Sequence, residues 1–461
     1  MNLLKLEELK KSQIHFIGIG GSGMSGLARI SLAMGIKTSG SDMKHSQIIE
    51  DLKNLGAKTF IGHSRENIND QGIIVISSAI SPENPELKRA RELGLTILTR
   101  AQALAIFMEG KKSIAVAGTH GKTTTTSMLP VALQSLGLDP SFAIGGTINR
   151  GGTNAHLGSG DFFISEADES DGSFLTYKPF GAVITNIELD HVDNFPNLEA
   201  VLKLFEKFVE SIQNNGFLVI GVDGSGAREL LSRIKRKDLN ILTYGKTGSD
   251  ITFSHLYLKP MGAMARASHL GKVLGELETS IPGEHNLLNA LAVLGVGIAT
   301  NLPISEFISG IKNFTGARRR FEIKGKVNGI TVVDDYGHHP TEIEVTLQAA
   351  RTYIGTGKIF VIFQPHRYSR TTAFSKEFAT SLRGADKVYL LEVYSAGESP
   401  IPGVNSKLIS DNLTNATYNP SMVEVIEEVS KLAKPGDLIM TLGAGDVSAL
   451  APAILENLNE N

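Results

Sequence analysis

Short apolar runs alternate along this chain with longer stretches in which apolar residues recur every three to four positions. The short runs, rich in Ile, Val and Phe, are typical of buried parallel strands, and the longer stretches are typical of helices packed on a sheet. Strands are predicted at 14–17, 73–76, 96–98, 114–117, 162–165, 182–185, 217–221, 330–333, 359–363, 387–391 and 438–441, with one more ending near Asp42. Helices are predicted after Gly23, at 85–93, from Lys122 to about 136, at 198–209, at 287–299 and after Pro340, and residues 250–280 are predicted to be rich in strand.

Composition narrows the class of protein. The chain has 461 residues, which at about 150 residues per domain suggests roughly three domains. Its net charge of −3 argues against a nucleic-acid-binding protein, because such domains are usually basic. The absence of cysteine excludes disulfides and cysteine–zinc sites. Since no apolar run could span a bilayer and no signal-peptide core follows the first residues, we expect a cytoplasmic protein with no nucleic-acid or membrane partner.

The most informative stretch is Gly118-Thr-His-Gly-Lys-Thr123, between a predicted strand and a predicted helix. We call it the phosphate loop. A glycine turn that leads into a helix N-terminus aims backbone N–H groups and the helix dipole at one point, as phosphate binding requires. Lys122 is spaced to reach the β/γ-phosphates, and Thr123 to bind Mg²⁺. The usual earlier glycine of this motif is replaced by Val116. The spacing favours nucleotide binding over an ordinary turn with a helix-capping threonine.

A second glycine motif lies near the start of the chain. Gly18-x-Gly20-x-x-Gly23 follows the strand at 14–17, and Asp42 stands about 20 residues further on, the pattern of a mononucleotide-binding βαβ unit. Tight strand–helix packing is the alternative interpretation of the glycines. Ser77 and Ser78 follow the strand at 73–76, so their hydroxyls are expected at the same sheet edge.

Acidic residues concentrate after two predicted strands of the middle region. Glu166, Asp168 and Glu169 follow the strand at 162–165, and Asp190-His191 lies shortly after the strand at 182–185. Carboxylates at the ends of buried strands are costly unless they meet a cation. Either cluster alone is more typical of a solvated turn, but beside the phosphate loop they predict an oxygen-rich Mg²⁺ site. For His191, a structural hydrogen-bonding role is the alternative.

Polar residues also follow the strands of the last third of the chain. Tyr336 and His338 come after the strand at 330–333, and Arg367 and Arg370 after the strand at 359–363. Guanidinium forks suit a carboxylate or a phosphate. These strands predict a doubly wound domain with its site at the carboxyl edge of the sheet. His285-Asn286 opens a predicted helix, where the two side chains either cap the helix or face a nucleotide base.

The motifs GIGGSGMSG, GTHGKTTTT, EADESDGSF, TNIELDHVD, HNLLNA, RRRFE, DDYGHHPTE, FQPHRYSRT and AGESP, which extend from Ile14 to Asp446, closely resemble those of the Mur ligases. Ser170 after EADE and Tyr336-Gly337 before the paired histidines resemble the alanine-adding members more than the murein-peptide recycling members. The resemblance implies an α/β fold with three domains: an N-terminal Rossmann-like UDP-sugar-binding domain (1–109), a central P-loop ATPase domain with a parallel sheet (110–314), and a C-terminal doubly wound Rossmann-like domain (315–461) that closes over the site. The polar stretch 109–112 is the first predicted boundary.

The resemblance also implies roles for single residues. Catalysis is expected of Lys122, Glu166, His191 and His338. ATP is expected to contact Gly118, Thr119, His120, Gly121, Lys122, Thr123, Thr124, His285 and Asn286, together with Arg319 or Arg320, between which the unusual Arg318 leaves the assignment open. The UDP-sugar is expected at Gly18, Gly20, Gly21, Gly23, Asp42, Ser78 and Asn154, the amino acid at Tyr336, His338, Arg367 and Arg370, and Mg²⁺ at Thr123, Glu166 and His191.

The reaction implied by the resemblance is ATP-dependent formation of an amide between L-alanine and the lactyl carboxylate of UDP-N-acetylmuramate, a step of peptidoglycan precursor synthesis. In the family this reaction proceeds through an acyl phosphate and uses ATP and Mg²⁺. The enzyme is expected to be a monomer or a homodimer. Two alternatives stay open: a ligase that adds another amino acid or a peptide, and a nucleotide-dependent switch without ligation. A switch has no need of the polar residues at 336, 338, 367 and 370.

Overall fold

Three β-sheets, each flanked by helices, make up the computed structural model, which describes residues 4–149 and 152–460. Each sheet lies within one of the three predicted residue ranges, which confirms the α/β class and the three-domain organisation. In all three sheets most strands are parallel, so their carboxyl ends and the loops that follow them share one edge. Among the described residues, no helix is long and apolar enough to cross a bilayer.

The N-terminal domain is a five-stranded parallel sheet with helices on its faces. Its elements are α1 (Leu6–Lys10), β1 (Gln13–Ile17), α2 (Ser22–Ala33), β2 (Lys37–Asp42), α3 (Gln47–Asn54), β3 (Lys58–Ile61), β4 (Ile73–Ile76), α4 (Pro85–Glu92), β5 (Thr96–Thr99) and α5 (Arg100–Phe107), with a 3-10 turn at Arg65–Asn67. The strand order β3-β2-β1-β4-β5 reverses between β1 and β4. Ligands of open α/β sheets bind at such a point, and the glycine motif and Ser77-Ser78 both lie there.

The central domain is a ten-stranded sheet with a parallel middle. Its elements are β6 (Lys112–Ala117), α6 (Lys122–Gln134), β7 (Ser141–Ala143), β8 (Ala155–His156), β9 (Phe162–Glu166), β10 (Gly181–Ile184), α7 (Leu198–Glu210), β11 (Phe217–Gly221), α8 (Ser225–Arg233), β12 (Asn240–Tyr244), β13 (Ile251–Lys259), β14 (Gly262–His269), β15 (Lys272–Thr279), α9 (Glu284–Ala299) and α10 (Ile304–Ile311), with a 3-10 turn at Ser173–Thr176. The order is β15-β14-β13-β12-β11-β10-β6-β9-β7-β8, and β13 to β15 form an antiparallel meander, which confirms the strand-rich region predicted at 250–280.

The C-terminal domain is a six-stranded sheet covered on both faces. Its elements are β16 (Glu322–Val327), β17 (Ile330–Asp335), α11 (Pro340–Ile354), β18 (Ile359–Phe363), α12 (Tyr368–Leu382), β19 (Lys387–Leu390), α13 (Lys407–Ser410), β20 (Ala416–Tyr418), α14 (Met422–Leu432), β21 (Leu438–Leu442) and α15 (Leu450–Glu460), with a 3-10 turn at Asp446–Ala449. The order is β16-β17-β21-β18-β19-β20, with only the β16–β17 pair antiparallel among the paired strands described. Val333 packs with α11 and α12 on one face and Val332 with α14 and α15 on the other, as expected of a doubly wound sheet.

The domains are joined by apolar and polar contacts. One continuous cluster of buried side chains includes Leu27 and Phe107 of the N-terminal domain and Phe163 and Tyr177 of the central domain. The segment that enters the C-terminal domain pairs with the loop between β7 and β8, through an isolated bridge between residues 148 and 317. These contacts hold the carboxyl edges of the three sheets around a common cleft.

Candidate functional site

Three adjoining cavities form a cleft between the domains. The first, of about 520 Å³, extends from the glycine motif after β1 to the acidic loop after β9. The second, of about 650 Å³, lies between the phosphate loop and the C-terminal domain, and it shares Glu166, Asp168 and His191 with the first. The third, of about 310 Å³, lies beyond the phosphate loop and shares Gly121 and Arg320 with the second. Most of the residues predicted for three different ligands therefore line one continuous space.

The phosphate loop is a rigid turn between β6 and α6. Gly118 (φ 126°) and Gly121 (φ 81°) both have left-handed backbone that favours glycine. A Cβ on Gly118 would lie 2.2 Å from the Thr185 hydroxyl, so no larger residue fits there. The loop is braced by the segment after β10, since Asn186 accepts from the N–H of Thr119 at 3.1 Å through its carbonyl and from that of His120 at 2.8 Å through its side chain. The first N–H groups of α6 face the cleft with no intrahelical partner.

Lys122 is a buried cation surrounded by carboxylates. Its ammonium donates to Glu169 Oε1 at 2.9 Å and to the carbonyls of Gly118 and Thr119 at 2.6 and 3.2 Å. Burial alone lowers the pKa of Lys122, but the charges of Glu169, Asp168 and Glu166 outweigh burial and raise it. Burial, with Asp168 adding to it, raises the pKa of Glu169 to about 7 in spite of Lys122. Lys122 is thus a permanent positive charge at the start of α6.

The predicted metal ligands form two adjacent groups in the second cavity. The Thr123 hydroxyl donates to Glu166 Oε1 at 3.0 Å, and Glu166 Oε2 accepts from the Gly145 N–H at 2.9 Å. His191 lies instead with Asp168 and Glu169, whose ligand atoms are all within 4.8 Å of one another. Glu169 Oε2 is buried without a hydrogen-bond partner. This donor set, mostly carboxylate and hydroxyl oxygens, fits a hard cation such as Mg²⁺.

The N-terminal glycine motif lies at the far end of the first cavity. Gly18, Gly21, Gly23 and Ser78 line it, and Gly20 lies behind the motif with its N–H donating to Asp42 Oδ2 at 3.0 Å. Asp42 borders a neighbouring shallow cavity with His63 and Ser77. Asn154 lines none of these cavities: its amide donates to the Ser22 carbonyl at 2.6 Å and to the Ser25 hydroxyl at 3.2 Å, so it ties the central domain to α2.

The third cavity is bounded by Thr124, His285 and Asn286, as predicted for a nucleotide. Neither residue at the start of α9 caps it, because the N-cap is Gly283 and no side chain accepts there. The Asn286 amide donates to the Pro282 carbonyl at 2.7 Å. Burial, followed by the charge of Arg320, lowers the pKa of His285 to about 4. The cavity is a partly apolar slot with a neutral imidazole in its wall, suited to a planar base.

The two adjacent arginines have different surroundings. Arg319 has a positive φ of 58° and donates at 2.6 Å to the Gly443 carbonyl in its own domain. Arg320 reaches the phosphate loop, with Nη2 at 3.4 Å from the Thr123 hydroxyl, and it lines both the second and the third cavity. Both guanidinium groups stack on the Tyr336 ring, at 4.9 and 5.1 Å from its centroid. Of the two, Arg320 is the arginine that reaches the phosphate loop and lines the third cavity.

His338 is held in one tautomer. Its Nδ1 lies 3.1 Å from the Tyr336 carbonyl oxygen, which can only accept, so Nδ1 carries the proton and Nε2 keeps its lone pair. Burial lowers the pKa of His338 to about 4, which leaves the imidazole neutral at pH 7. The residue lines the second cavity with Tyr336 and His366. An unprotonated ring nitrogen therefore stands among the residues predicted for the amino acid.

Both predicted carboxylate-binding arginines make ion pairs across the domain boundary. Arg370 is buried, and its Nε and Nη2 both lie 2.9 Å from Asp190 Oδ1. Arg367 (φ 72°) is half-buried and pairs with Asp193 and with Glu398. Burial opposes ionisation of Asp190, but the charges of Arg370 and His191 outweigh it and hold its pKa low. Both guanidinium groups therefore pair with carboxylates of the central domain, Asp193 and Asp190.

Asp168, Glu169 and Asp190 belong to the predicted acidic clusters, without a separate role for each residue in the sequence. Two further residues that line the cleft, Arg100 and Glu342, belong to no candidate site in the sequence. Arg100 lines the first cavity beside Gly23, and among the described residues no carboxylate pairs with it. Its only signal in the sequence is its place directly after β5, at the edge where ligands bind.

Comparison with known proteins identifies the kind of protein that this architecture belongs to. Three family models match in succession: "Mur ligase family, catalytic domain" at residues 13–112, "Mur ligase middle domain" at 116–297 and "Mur ligase, glutamate ligase domain" at 319–445. A UDP-N-acetylmuramate–L-alanine ligase of Acidothermus cellulolyticus is 45% identical over 461 residues, covering 99% of this chain and 96% of the relative. One from Desulforamulus reducens is 45% identical over 98% of this chain and 99% of its own length.

A solved structure agrees with these relatives. The crystal structure of a UDP-N-acetylmuramate–alanine ligase from Thermotoga maritima superposes with a TM-score of 0.82 at 30% identity, over 97% of this chain and 99% of that one. The similarity thus extends over all three domains and includes their relative placement.

Proposed function

Because this chain belongs to the Mur ligase family, we propose that it is the ATP-dependent ligase that joins L-alanine to the lactyl carboxylate of UDP-N-acetylmuramate. ADP and phosphate are the other products. The reaction makes a peptidoglycan precursor, and we place it in the cytoplasm, where ATP is supplied. The relatives' names support the choice of substrates.

The observation that carries the proposal is the continuity of the cleft. A glycine motif at the N-terminus of α2, a phosphate loop at the N-terminus of α6 and polar side chains of the C-terminal domain all open into adjoining cavities. Two helix N-termini offer sites for two phosphate groups, one for a diphosphate that stays bound and one for a phosphate that is transferred. A ligase that activates a carboxylate with ATP needs this arrangement, because donor and acceptor must meet.

The residues divide by cavity. We assign the UDP-sugar to the first cavity, with its diphosphate at Gly18 to Gly23 and Arg100 offsetting its charge. The triphosphate of ATP is assigned to the phosphate loop and its base to the third cavity, beside His285 and Asn286. Arg320 rather than Arg319 is the arginine that meets the nucleotide, because Arg319 is engaged with the carbonyls of its own domain.

Phosphoryl transfer depends on positioning and charge neutralisation more than on covalent help from the protein. Lys122 supplies a fixed positive charge next to the transferred group. Thr123, Glu166 and His191, with Asp168, are the residues that would hold Mg²⁺, which when bound neutralises phosphate charge. The lactyl carboxylate oxygen attacks the γ-phosphorus and ADP leaves, so that an acyl phosphate forms.

The amine of alanine then attacks the acyl carbon, and phosphate leaves with the electron pair of the broken C–O bond. The attacking amine must first be free of its extra proton and lose another on forming the amide. His338 Nε2, unprotonated in the second cavity, is the group that we assign to hold the ammonium and accept a proton. Arg367 and Arg370 lie on the same side, and either one must release an acidic partner before it binds the alanine carboxylate.

The test is a phosphate-release assay with UDP-N-acetylmuramate, ATP, Mg²⁺ and a panel of L-alanine, glycine, L-serine and a tripeptide. We expect release to require the UDP-sugar and to be fastest with L-alanine. Preference for the tripeptide would identify a peptide-adding ligase instead. Hydrolysis that is indifferent to the UDP-sugar would contradict ligation and favour the nucleotide switch.

A further inference from the structure

Glu342, in the first turn of α11, is a largely buried carboxylate, 12% exposed, at which three cleft residues meet. Its Oε1 lies 3.3 Å from His120 Nδ1 of the phosphate loop and 3.8 Å from Arg320 Nη1. Its Oε2 accepts a hydrogen bond from the backbone N–H of His338 at 3.0 Å and lies 3.5 Å from the ring nitrogen Nδ1 of the same residue. The three partners belong to the phosphate loop, the nucleotide-facing arginine and the proposed amine-binding histidine.

His120 is the partner that belongs to another domain. Its ring lies between two carboxylates, with Nε2 at 3.4 Å from Glu188 Oε2 and Nδ1 facing Glu342. Burial lowers the pKa of His120, but the charges of Glu188 and Glu342 outweigh burial and raise it to about 9. The groups that face the ring are these two carboxylates and the neutral imidazole of His339, whose centroid is 4.6 Å away. His120 is therefore a cation between the domains.

A metal ion is a weaker account of this cluster, although His120, Glu188 and His339 are close enough to share one. His339 Nδ1 accepts from the Thr341 N–H, so in the neutral ring the proton is on Nε2 and neither nitrogen keeps a free lone pair for a metal ion. His120 is already matched by opposite charges on both sides. Glu188 is also engaged by the Thr341 hydroxyl at 2.7 Å. The charge of the cluster is thus balanced by protein groups, although His120 Nδ1, His120 Nε2 and His339 Nε2 have no hydrogen-bond partner.

We propose that Glu342 is a positioning residue of the ligase: it fixes the C-terminal domain to the phosphate loop through His120 and sets the orientation of Arg320 and His338. This inference rests on the proposed function. Packing of α11 places the Glu342 carboxylate against the phosphate loop. The same carboxylate therefore positions Arg320 on the nucleotide side of the cleft and His338 on the amine side. A carboxylate in the first turn of a helix is also favoured by the helix dipole.

The test compares Glu342→Gln with Glu344→Gln, an exposed glutamate on the same helix, in the full-length protein. We expect Glu342→Gln to lower kcat/KM for ATP by about 10- to 100-fold, because small misplacements of reacting groups have effects of this size. The basic limb of its pH profile should move to lower pH, since His120 loses one of its two carboxylates. Glu344→Gln should match the wild-type protein in both. A merely structural role for Glu342 would leave the pH profile in place.

A double-mutant cycle with His120→Gln separates the coupling between Glu342 and His120 from a general loss of folded protein. If Glu342 acts through His120, the double variant should bind a fluorescent ATP analogue about as weakly as the weaker single variant. Additive losses, or wild-type behaviour of Glu342→Gln, would overturn the inference. Should Glu342→Gln fail to fold, Glu342→Asp replaces it in the same cycle with the same criteria. Nucleotide binding is measured without ligation, so a wild-type protein inactive with L-alanine would contradict the proposed function alone.

Discussion

Lys122 owes its position to local chemistry around a single buried charge. A buried ammonium is costly unless it is paired, and here Glu169 and two loop carbonyls satisfy it. Glu169 is itself so buried that its pKa rises to about 7. A bound triphosphate can therefore weaken the ion pair between Lys122 and Glu169, because its added negative charge competes with Glu169 for the same ammonium.

We expect Lys122→Ala to lower phosphate release by about 10²- to 10³-fold, the effect of removing one preorganised charge from a transition state. Glu166→Ala should have a similar effect, through loss of the carboxylate that orients Thr123. Binding of UDP-N-acetylmuramate, measured by calorimetry, should persist in both variants, since its proposed cavity is in the N-terminal domain. Lys203→Ala, an exposed lysine of the central domain, is the control. Near-normal phosphate release by Lys122→Ala would contradict the mechanism.

Arg370 pairs with Asp190 in the structure, and we also propose that it binds the alanine carboxylate. We expect Arg370→Ala to leave Asp190 buried and unpaired, which costs about 3–5 kcal/mol of stability. The alanine KM should rise at least about tenfold, if the guanidinium also serves the substrate carboxylate. Adding Asp190→Asn should restore the thermal midpoint and leave the alanine KM high. A normal alanine KM in the folded double variant would remove Arg370 from the amino-acid site.

Sequence reasoning located the phosphate loop, the glycine motif and the acidic strand ends because each follows an apolar run directly. It left Arg319 and Arg320 as alternatives, because the two differ only in their surroundings in the fold, where Arg319 donates to the Gly443 carbonyl and Arg320 reaches Thr123. Nor could it find Glu342. The residue becomes distinctive only when α11 meets the phosphate loop, a contact between positions 222 apart in the chain, 120 and 342.

At the scale of elements, the strand–loop–helix units line the cleft, and their glycines permit the turns. Predicted strands agree with the structure to within a residue or two, because runs of Ile, Val and Phe in a buried parallel sheet leave little ambiguity. Short elements such as β8 and α13 were not predicted, since two to four residues make no detectable period. Helix α8, whose sequence mixes serine, glycine and charge, is also absent from the prediction, as are the longer helices α12, α14 and α15.

Gly118 offers a matched test of the unit formed by β6, the phosphate loop and α6. Gly118→Ala places a Cβ 2.2 Å from the Thr185 hydroxyl at a φ of 126°, so we expect a loss of about 2–5 kcal/mol and of ATP binding. Gly137 has a φ of 74° and nothing within 4 Å of its Cβ position, so Gly137→Ala should cost only about 1–2 kcal/mol of strain. Urea unfolding and nucleotide titration measure both. Equal effects of the two substitutions would contradict this account.

Across the whole molecule, charged and titratable groups gather where the domains meet. Arg370 with Asp190, Arg367 with Asp193 and the Thr341 hydroxyl with Glu188 all cross from the C-terminal to the central domain. Around them the cleft walls hold four histidines: His339 is buried, and His285, His338 and His366 are half-buried. Because the interface is made of such groups, its stability depends on pH more than the apolar cores do.

The direction of that dependence follows from the four histidines. Burial lowers the pKa of His285, His338 and His339 to about 4 and that of His366 to about 3. In the unfolded chain each titrates near about 6.5, so below that pH the unfolded state binds more protons and the free energy of unfolding falls. His120 works in the opposite direction: its pKa of about 9 stabilises the fold below about pH 6.5, and that contribution is lost as pH rises to 9.

We therefore expect the thermal midpoint of the ligand-free protein to be highest near neutral pH and to fall more steeply toward pH 5 than toward pH 9. On the acidic side the four imidazoles outnumber Glu169 and Asp335, whose pKa values are raised to about 7 and about 6 and which act in the opposite direction. One imidazole acts on the basic side, which gives the asymmetry. Scanning calorimetry at constant ionic strength measures it, and the acidic fall should shrink when ATP and the UDP-sugar hold the domains together. His45→Gln, at an exposed histidine, should leave the curve unchanged. A midpoint that stays constant between pH 7 and pH 5 would mean that these imidazoles are accessible to water and titrate normally, and that the interface opens in solution.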